Sequence, residues 1–318
     1  MNIAVSLNSK YMRYTYVMLE SLFINNTSES EIVVFVLNSD LTLEDITTLT
    51  ALSSKYSRTI NFIHIDRTSF PKDLPFNEAW SLETYFRLML TDVLPTDIDR
   101  VLYLDVDMIV DKSLSNLYYT DFEDKLFIVC HDMTVGEIFN DYRDSFFQKY
   151  PDIHETYFNA GMMLWNIAGL RREGFSFSKY MELAKGFNYK LFAFDQDLLN
   201  YMHHGQVLYV DEVLYDLFSK KAYNVGITYS DVKAATVVTH FAGMKPWEGQ
   251  YIHYEIEQLW WDYARLAPFY PELMEEFIHE SINNPLIFDT MDHLSKENAA
   301  LKKELGNSLE LLKRLTQK

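Results

Sequence analysis

Apolar positions in the first two-thirds of the chain alternate between short β-branched runs and longer segments with three- and four-residue spacing. "NIAVS" (2–6), "EIVVFVL" (31–37) and "TINFIHI" (59–65) predict strands. Between them, "YMRYTYVMLESLFINN" (11–26) sets Tyr14, Val17, Met18 and Leu22 at helical spacing. "LTLEDITTLTALSSKY" (41–56) predicts a second helix, entered through a Thr42…Asp45 pair that resembles a capping box. "SLETYFRLML" (81–90) predicts a third helix and "RVLYLDVD" (100–107) a fourth strand. The β-α-β-α order predicts an α/β domain: a mostly parallel sheet with helices on both faces. Such sheets bind ligands beyond the C-terminal ends of their strands, and Asp105 and Asp107 fall at one such end.

The pattern changes late in the chain. Residues 252–282 are aromatic-rich and helical in spacing. After Pro285, Ile287, Met291, Leu294, Asn298, Leu301, Leu305, Leu312 and Leu315 follow a three-four repeat, with Ser308 in the one polar gap besides Asn298. The expected partition is therefore an α/β domain over 1–250, a helical extension over 251–284 and a helical tail over 285–318. The tail has three readings: a homodimeric coiled coil through residues 287–315, a membrane-surface helix, or a solvated helix packed on its own chain. Of the adjacent Trp260 and Trp261, at least one should be core, because neighbours on a helix point in different directions.

Composition narrows the function classes. The chain has 318 residues and a formal net charge of −18, which argues against a nucleic-acid partner held by a general basic surface. Cys130 is the only cysteine, so no intrachain disulfide forms and a reducing, cytoplasmic compartment is expected. The N-terminus shows no basic segment followed by a long apolar one, and the apolar run at 158–170 is too short to span a bilayer. Contact with a membrane would be peripheral, at its inner face.

The chemistry begins inside "RVLYLDVDMIV" (100–110), where two carboxylates interrupt an apolar run. On an extended strand, residues i and i+2 point the same way, so Asp105 and Asp107 would present both carboxylates together. Such a pair can bind a divalent cation, open a phosphatase of the haloacid-dehalogenase type, or sit solvated at a strand end. Three later segments add to it. "YFNAGMMLWN" (157–166) places Asn159 and Gly161 in an apolar strand, and glycine there marks either a close approach or a bulge. "FDQDLLN" (194–200) sets Asp195, Gln196 and Asp197 ahead of a helical run, where acids also favour a helix start. "VVTHFAGMKPW" (237–247) ends a strand at His240, followed by Gly243 and Lys245, a pattern suited to a metal ligand and a phosphate-binding turn.

Together, and in this order, these segments resemble the retaining glycosyltransferases of family 8, the glycogenin and lipopolysaccharide galactosyltransferase group, over about residues 1–250. The resemblance implies a GT-A fold and transfer of glucose or galactose from a UDP-sugar to a carbohydrate-containing acceptor, with Mn²⁺ (or Mg²⁺) as cofactor. It implies Asp105, Asp107 and His240 as metal ligands. Ser6, Asn8, Tyr11, Asp105, Val106, Gly243 and Lys245 would line the nucleotide. Arg87, Asn159, Asp195 and Gln196 would line the donor sugar, and Asp132 the acceptor side. Gln196, Asp195 and Lys245 would carry the chemistry, with Lys245 meeting the charge that grows on departing UDP. No carboxylate offers itself as an obvious covalent nucleophile, and a front-face route remains open beside it.

The chain departs from the family pattern at the end of its first strand. Asn8 stands where relatives often carry an acid, and Lys10 where they carry an amide; Tyr11 keeps an aromatic able to stack on a base. Two rival functions stay open on sequence: a metal-dependent phosphatase, and a non-catalytic sugar-nucleotide binder dimerised through its tail.

Overall fold

The computed structural model describes residues 1–76, 81–134, 145–251 and 253–316. They divide into two compact units. The first comprises Met1–Gly243 with Tyr254–Ala267, the second Met244–His253 with Pro268–Lys318.

In the first unit, a seven-stranded sheet has the order β3-β2-β1-β4-β7-β6-β8. Its strands are β1 (Asn2–Ser6), β2 (Val33–Asn38), β3 (Thr59–His64), β4 (Arg100–Leu104), β6 (Phe127–His131), β7 (Phe158–Asn166) and β8 (Val207–Tyr209). Pairings β1–β2, β2–β3, β1–β4 and β6–β8 are parallel; β7 runs antiparallel between β4 and β6. The buried runs of β1, β2 and β4 belong to strands covered on both faces. β3, at the sheet edge, exposes Thr59, Asn61 and His64 to solvent.

The expected helices form, with one change of type. Met12–Asn25 and Leu43–Lys55 are α-helices, and the second opens on a complete Thr42–Asp45 capping box. Leu82–Met89 is instead a 3₁₀ helix. Its three-residue repeat aligns Leu82, Tyr85 and Leu88, all buried, and sets Arg87 directly below Thr84, whose carbonyl accepts from Arg87 Nε at 3.0 Å. Trp260, on Gln258–Ala264, is fully buried 6.2 Å from the Tyr14 ring; Trp261 is half-buried.

The predicted fourth strand is corrected. It ends at Leu104, before the carboxylates; residues 105–107 form a turn, and Met108–Val110 restart as β5 in a different sheet. β5 joins β9 (Leu217–Phe218) and β10 (Val238–His240) in a three-stranded sheet of order β5-β10-β9. Val106 and the apolar residues on either side hide this break in the sequence. Asp105 and Asp107 therefore face one site because a turn places them there, not because of strand pleating.

One buried histidine packs beneath the large sheet. His203 lies between the Phe127 and Phe175 rings, each 4.6 Å away. The Tyr180 hydroxyl, 2.8 Å away, donates to Nε2, and Nδ1–H donates to Gln206 Oε1 at 3.0 Å, the arrangement of a neutral imidazole. Burial pushes its pKa down to about 4. In the unfolded chain it titrates near 6.5, so between these values only the unfolded state takes up the proton. Its contribution, roughly 3 kcal/mol, is complete above pH 6.5 and is lost as pH falls toward 4. NMR titration of the native protein should place the His203 midpoint near 4. A midpoint near 6.5 would contradict this account.

Candidate active site and metal centre

The turn at 105–107 and the end of β10 converge. β10 pairs antiparallel with β5, placing His240 opposite Met108, and the Phe241 N–H donates to the Asp107 carbonyl at 3.0 Å. One ligand atom each from Asp105, Asp107 and His240 lies within 4.8 Å of the others. Asp216 Oδ1 accepts from His240 Nδ1 at 2.8 Å, leaving Nε2 facing Asp107 Oδ1 at 3.4 Å. This carboxylate–imidazole pairing fixes the ring so that Nε2 is the nitrogen presented to a cation. Two carboxylates and one imidazole suit a Mn²⁺- or Mg²⁺-like ion, so the donor set fits.

The electrostatics follow from burial. Burial alone would lower the His240 imidazole, but the Asp107 and Asp216 carboxylates outweigh it and push it up to about 10. Burial pushes Asp216 up to about 6 against the pull of His240.

Gly161 shows why this β7 position lacks a side chain. A Cβ there would sit 2.6 Å from His240 Cε1 and 2.8 Å from both Asn159 Oδ1 and Asp105 Oδ2. The Gly161 carbonyl accepts from the Asp105 N–H at 2.8 Å, so the strand backbone presses directly on the turn.

Arg87 stands at the centre of the neighbouring charges. Its guanidinium donates to Asp105 Oδ1 at 2.9 Å and to the Ala160 carbonyl, and stacks 4.4 Å over the Tyr103 ring. Its Nε lies 2.9 Å from Asp195 Oδ2 but gives its proton to Thr84, so that fully buried carboxylate oxygen has charge beside it and no hydrogen bond. Burial pushes Asp195 up to about 7, with Arg87 opposing. The Tyr103 hydroxyl links Asp105 Oδ1 at 3.1 Å to Ser6 Oγ at 2.5 Å, tying the end of β1 to the site.

The FDQD segment is the first turn of helix Phe194–His203, and its three polar residues separate by role. Phe194 has φ +47°, a strained conformation for an aromatic residue. Asp197, fully buried, clamps the preceding turn: Oδ2 accepts from the N–H groups of Phe192 at 2.9 Å and Ala193 at 2.8 Å, and Oδ1 from the Tyr157 hydroxyl at 2.8 Å. Asp195 turns toward Arg87. Gln196 spans Asp132 and β7: Oε1 accepts from Ala160 N–H at 2.9 Å and Asn159 Nδ2 at 3.1 Å, and Nε2 donates to Asp132 Oδ2 at 2.9 Å. Asp132, Asn159 and Gln196 thus form one network, in which Asn159 Oδ1 accepts from the Gly161 N–H at 2.7 Å.

At the β1 end, Asn8 Nδ2 donates to Glu83 Oε2 at 3.3 Å, while Asn8 Oδ1 is shielded and has no protein partner. The Tyr11 ring meets Tyr14 edge-on at 5.6 Å. Val106 is buried within the turn. Gly243 has φ +88° with open space around its Cβ position, so conformation rather than crowding calls for glycine. Lys245 belongs to the second unit, where its N–H donates to Glu248 Oε2 at 3.2 Å.

Residues 2–250 match the family described as Glycosyl transferase family 8. The chain belongs to glycosyltransferase family 8. A putative glycosyltransferase of Haemophilus influenzae (strain Rd) is 27% identical over 296 residues, covering 85% of this chain and 84% of its own. A lipopolysaccharide 1,3-galactosyltransferase of Salmonella typhimurium (strain LT2) is 29% identical over 250 residues, covering 77% and 72%. Among solved structures, an active-site glutamine-to-glutamate mutant of LgtC superposes with a TM-score of 0.71 at 25% identity, covering 84% of this chain and 96% of that one. The fold is accordingly GT-A, with C-terminal helices. No helix among the described residues is long and apolar enough to cross a membrane.

Two residues of this glycosyltransferase site escape motif reading. Asp216 precedes the two-residue β9, and only the parallel β9–β10 pairing reveals it as the partner of His240. Glu83, buried in "SLETYFRL", holds Asn8, Ser39 and Arg67; its neighbour Arg87 was the visible signal. Gly161→Ala should raise the apparent Kd for Mn²⁺ at least ~10-fold, because the added methyl displaces His240 or Asp105. Gly186→Ala, where a Cβ meets nothing within 4 Å, should leave the affinity unchanged. Equal Mn²⁺ titrations for the two variants would remove Gly161 from the site.

Proposed function

We propose that residues 1–250 form the catalytic domain of a retaining hexosyltransferase that moves glucose or galactose from a UDP-sugar to a glycan, lipid-linked or glycoprotein acceptor in bacterial cell-surface synthesis. The observation that carries this reading is the convergence of Asp105, Asp107 and His240, with Asp216 setting the imidazole. The Salmonella relative's description as a lipopolysaccharide 1,3-galactosyltransferase, and that of a 26% identical Escherichia coli protein as a lipopolysaccharide 1,2-glucosyltransferase, support a hexose donor and a cell-surface acceptor.

A divalent cation held by Asp105, Asp107 and His240 would supply Lewis-acid neutralisation of the departing diphosphate. The chain's own residues do the rest. Arg87 aims Asp105, donating to its Oδ1 at 2.9 Å. Asn8, its amide nitrogen held by Glu83, stands at the end of β1 where the base and ribose would lie, with Tyr11 nearby as a stacking ring. Ser6, Val106 and Gly243 contribute backbone and hydroxyl groups around the nucleotide.

Asn159, Gln196 and Asp132 form the polar wall between donor sugar and acceptor. Both lone pairs of the Gln196 carbonyl oxygen are already taken, so this residue acts as a fixed dipole rather than a swinging ligand. Asp195, buried against Arg87, positions the guanidinium and is shielded from acting as a covalent nucleophile. That geometry favours a front-face departure in which the leaving phosphate takes the acceptor's proton.

The test is UDP release from UDP-glucose and UDP-galactose, with and without Mn²⁺. The wild type should release UDP from at least one donor only when Mn²⁺ is present. Asp107→Ala should lower that rate by two orders of magnitude or more with its circular dichroism unchanged. Tight UDP binding without release from either donor would favour a non-catalytic binder; Mn²⁺-independent release at the wild-type rate would overturn the metal assignment.

A further inference from the structure

Pro285–Thr316 forms a single 32-residue helix, about 48 Å long at 1.5 Å per residue. Every side chain described from Asp289 to Gly306 is exposed, polar and apolar alike. Met291, Leu294, Leu301 and Leu305 are 55–64% exposed, an unusual state for four large apolar residues on one stripe. Across these described side chains the helix lacks the packed amphipathic face that stabilises most helices in proteins. The stripe follows heptad spacing: Met291, Asn298 and Leu305 take a positions, and Leu294 and Leu301 take d positions. In the sequence the same register continues to Leu312 (a) and Leu315 (d).

We propose that this stripe is the seam of a parallel two-stranded coiled coil formed with a second copy of the same chain. Two independent features select that occupant and that direction. Asn298 sits at an a position. In a parallel pair it meets its own counterpart, so each amide finds both a donor and an acceptor; in an antiparallel pair it would face a leucine at d and lose its partner. The flanking charges agree. Glu297 takes a g position and Lys302 the following e position, so a parallel pair sets Glu297 of each helix against Lys302 of the other. An antiparallel pair brings g against g, and the only charged described g residues are Glu297 and Glu304, which repel. The segment from Asp289 onward carries six basic and five acidic residues, close to neutral on a chain of −18, so two tails can approach without the repulsion that holds the rest of the molecule apart. Pairing gives each assembly two catalytic units, which raises avidity for a surface bearing many acceptor sugars.

The full-length protein should run at twice its 37.5 kDa chain mass by light scattering at micromolar concentration. Leu294→Glu with Leu301→Glu should halve that mass while leaving the UDP-release rate per chain unchanged. Met291→Cys, lying at one end of the seam, should crosslink to a disulfide dimer under mild oxidation, since the native Cys130 is buried; parallel helices bring the two new thiols together and antiparallel ones hold them apart. A monomeric wild type would overturn the proposal, as would a dimer whose mass survives the double substitution. A dimer without the Met291→Cys crosslink would overturn the parallel arrangement. Sedimentation of a monomeric wild type with anionic vesicles would assign the stripe to a membrane surface instead.

Discussion

Like charges crowded into one buried pocket are the constraint around which this molecule is organised. Asp105, Asp107, Asp195 and Asp216 are brought together near the strand ends, and burial pushes the carboxyls of Asp195 and Asp216 up. Two side chains offset this. Arg87 faces Asp105 and Asp195; His240 faces Asp107 and Asp216. Arg87 is anchored by backbone carbonyls from two elements, the 3₁₀ helix that carries it and β7. His240 is anchored by the small sheet through its register with β5. Each half of the pocket thus faces a side chain whose position depends on tertiary structure, so the electrostatics and the fold cannot be separated.

The same reasoning explains which polar residues serve the site and which serve the scaffold. Asp195 and Asp197 lie two apart on one helical turn and are both fully buried, yet Asp197 is consumed by backbone amides while Asp195 meets the guanidinium. The clamp by Asp197 fixes the N–H groups of Phe192 and Ala193, just ahead of Phe194 with its left-handed φ, while Gln196 of the same turn accepts from β7.

Much of this was legible in the sequence, for identifiable reasons. β-branched runs and the Thr42–Asp45 box announce strands and a helix start because they act locally. The glycine in "YFNAGMMLWN" left a close approach and a bulge both open, and the structure supplies the neighbours that decide for the first, His240 and Asp105. The break after Leu104 was hidden because Val106 and Met108–Val110 prolong the apolar run, and periodicity does not report a change of sheet. The 3₁₀ geometry of Leu82–Met89 was hidden because three- and four-residue repeats coincide over so short a span. Asp216 was hidden because its importance comes from strand pairing alone. Lys245 follows Gly243 closely in sequence, yet belongs to the second unit, and proximity along the chain carries no information about that division.

The antiparallel register between β5 and β10 has a consequence for how the protein is made. Asp105 and Asp107 emerge early in synthesis, whereas His240 and its partner Asp216 arrive only when the first unit is nearly complete. Such pairing between distant segments is slow to form and closes late. Until then the early carboxylates have no imidazole beside them and no strand to fix their turn. A cation held by Asp105, Asp107 and His240 would thus bind only after this pairing has formed. The cluster of ligand atoms is a record that the fold has closed.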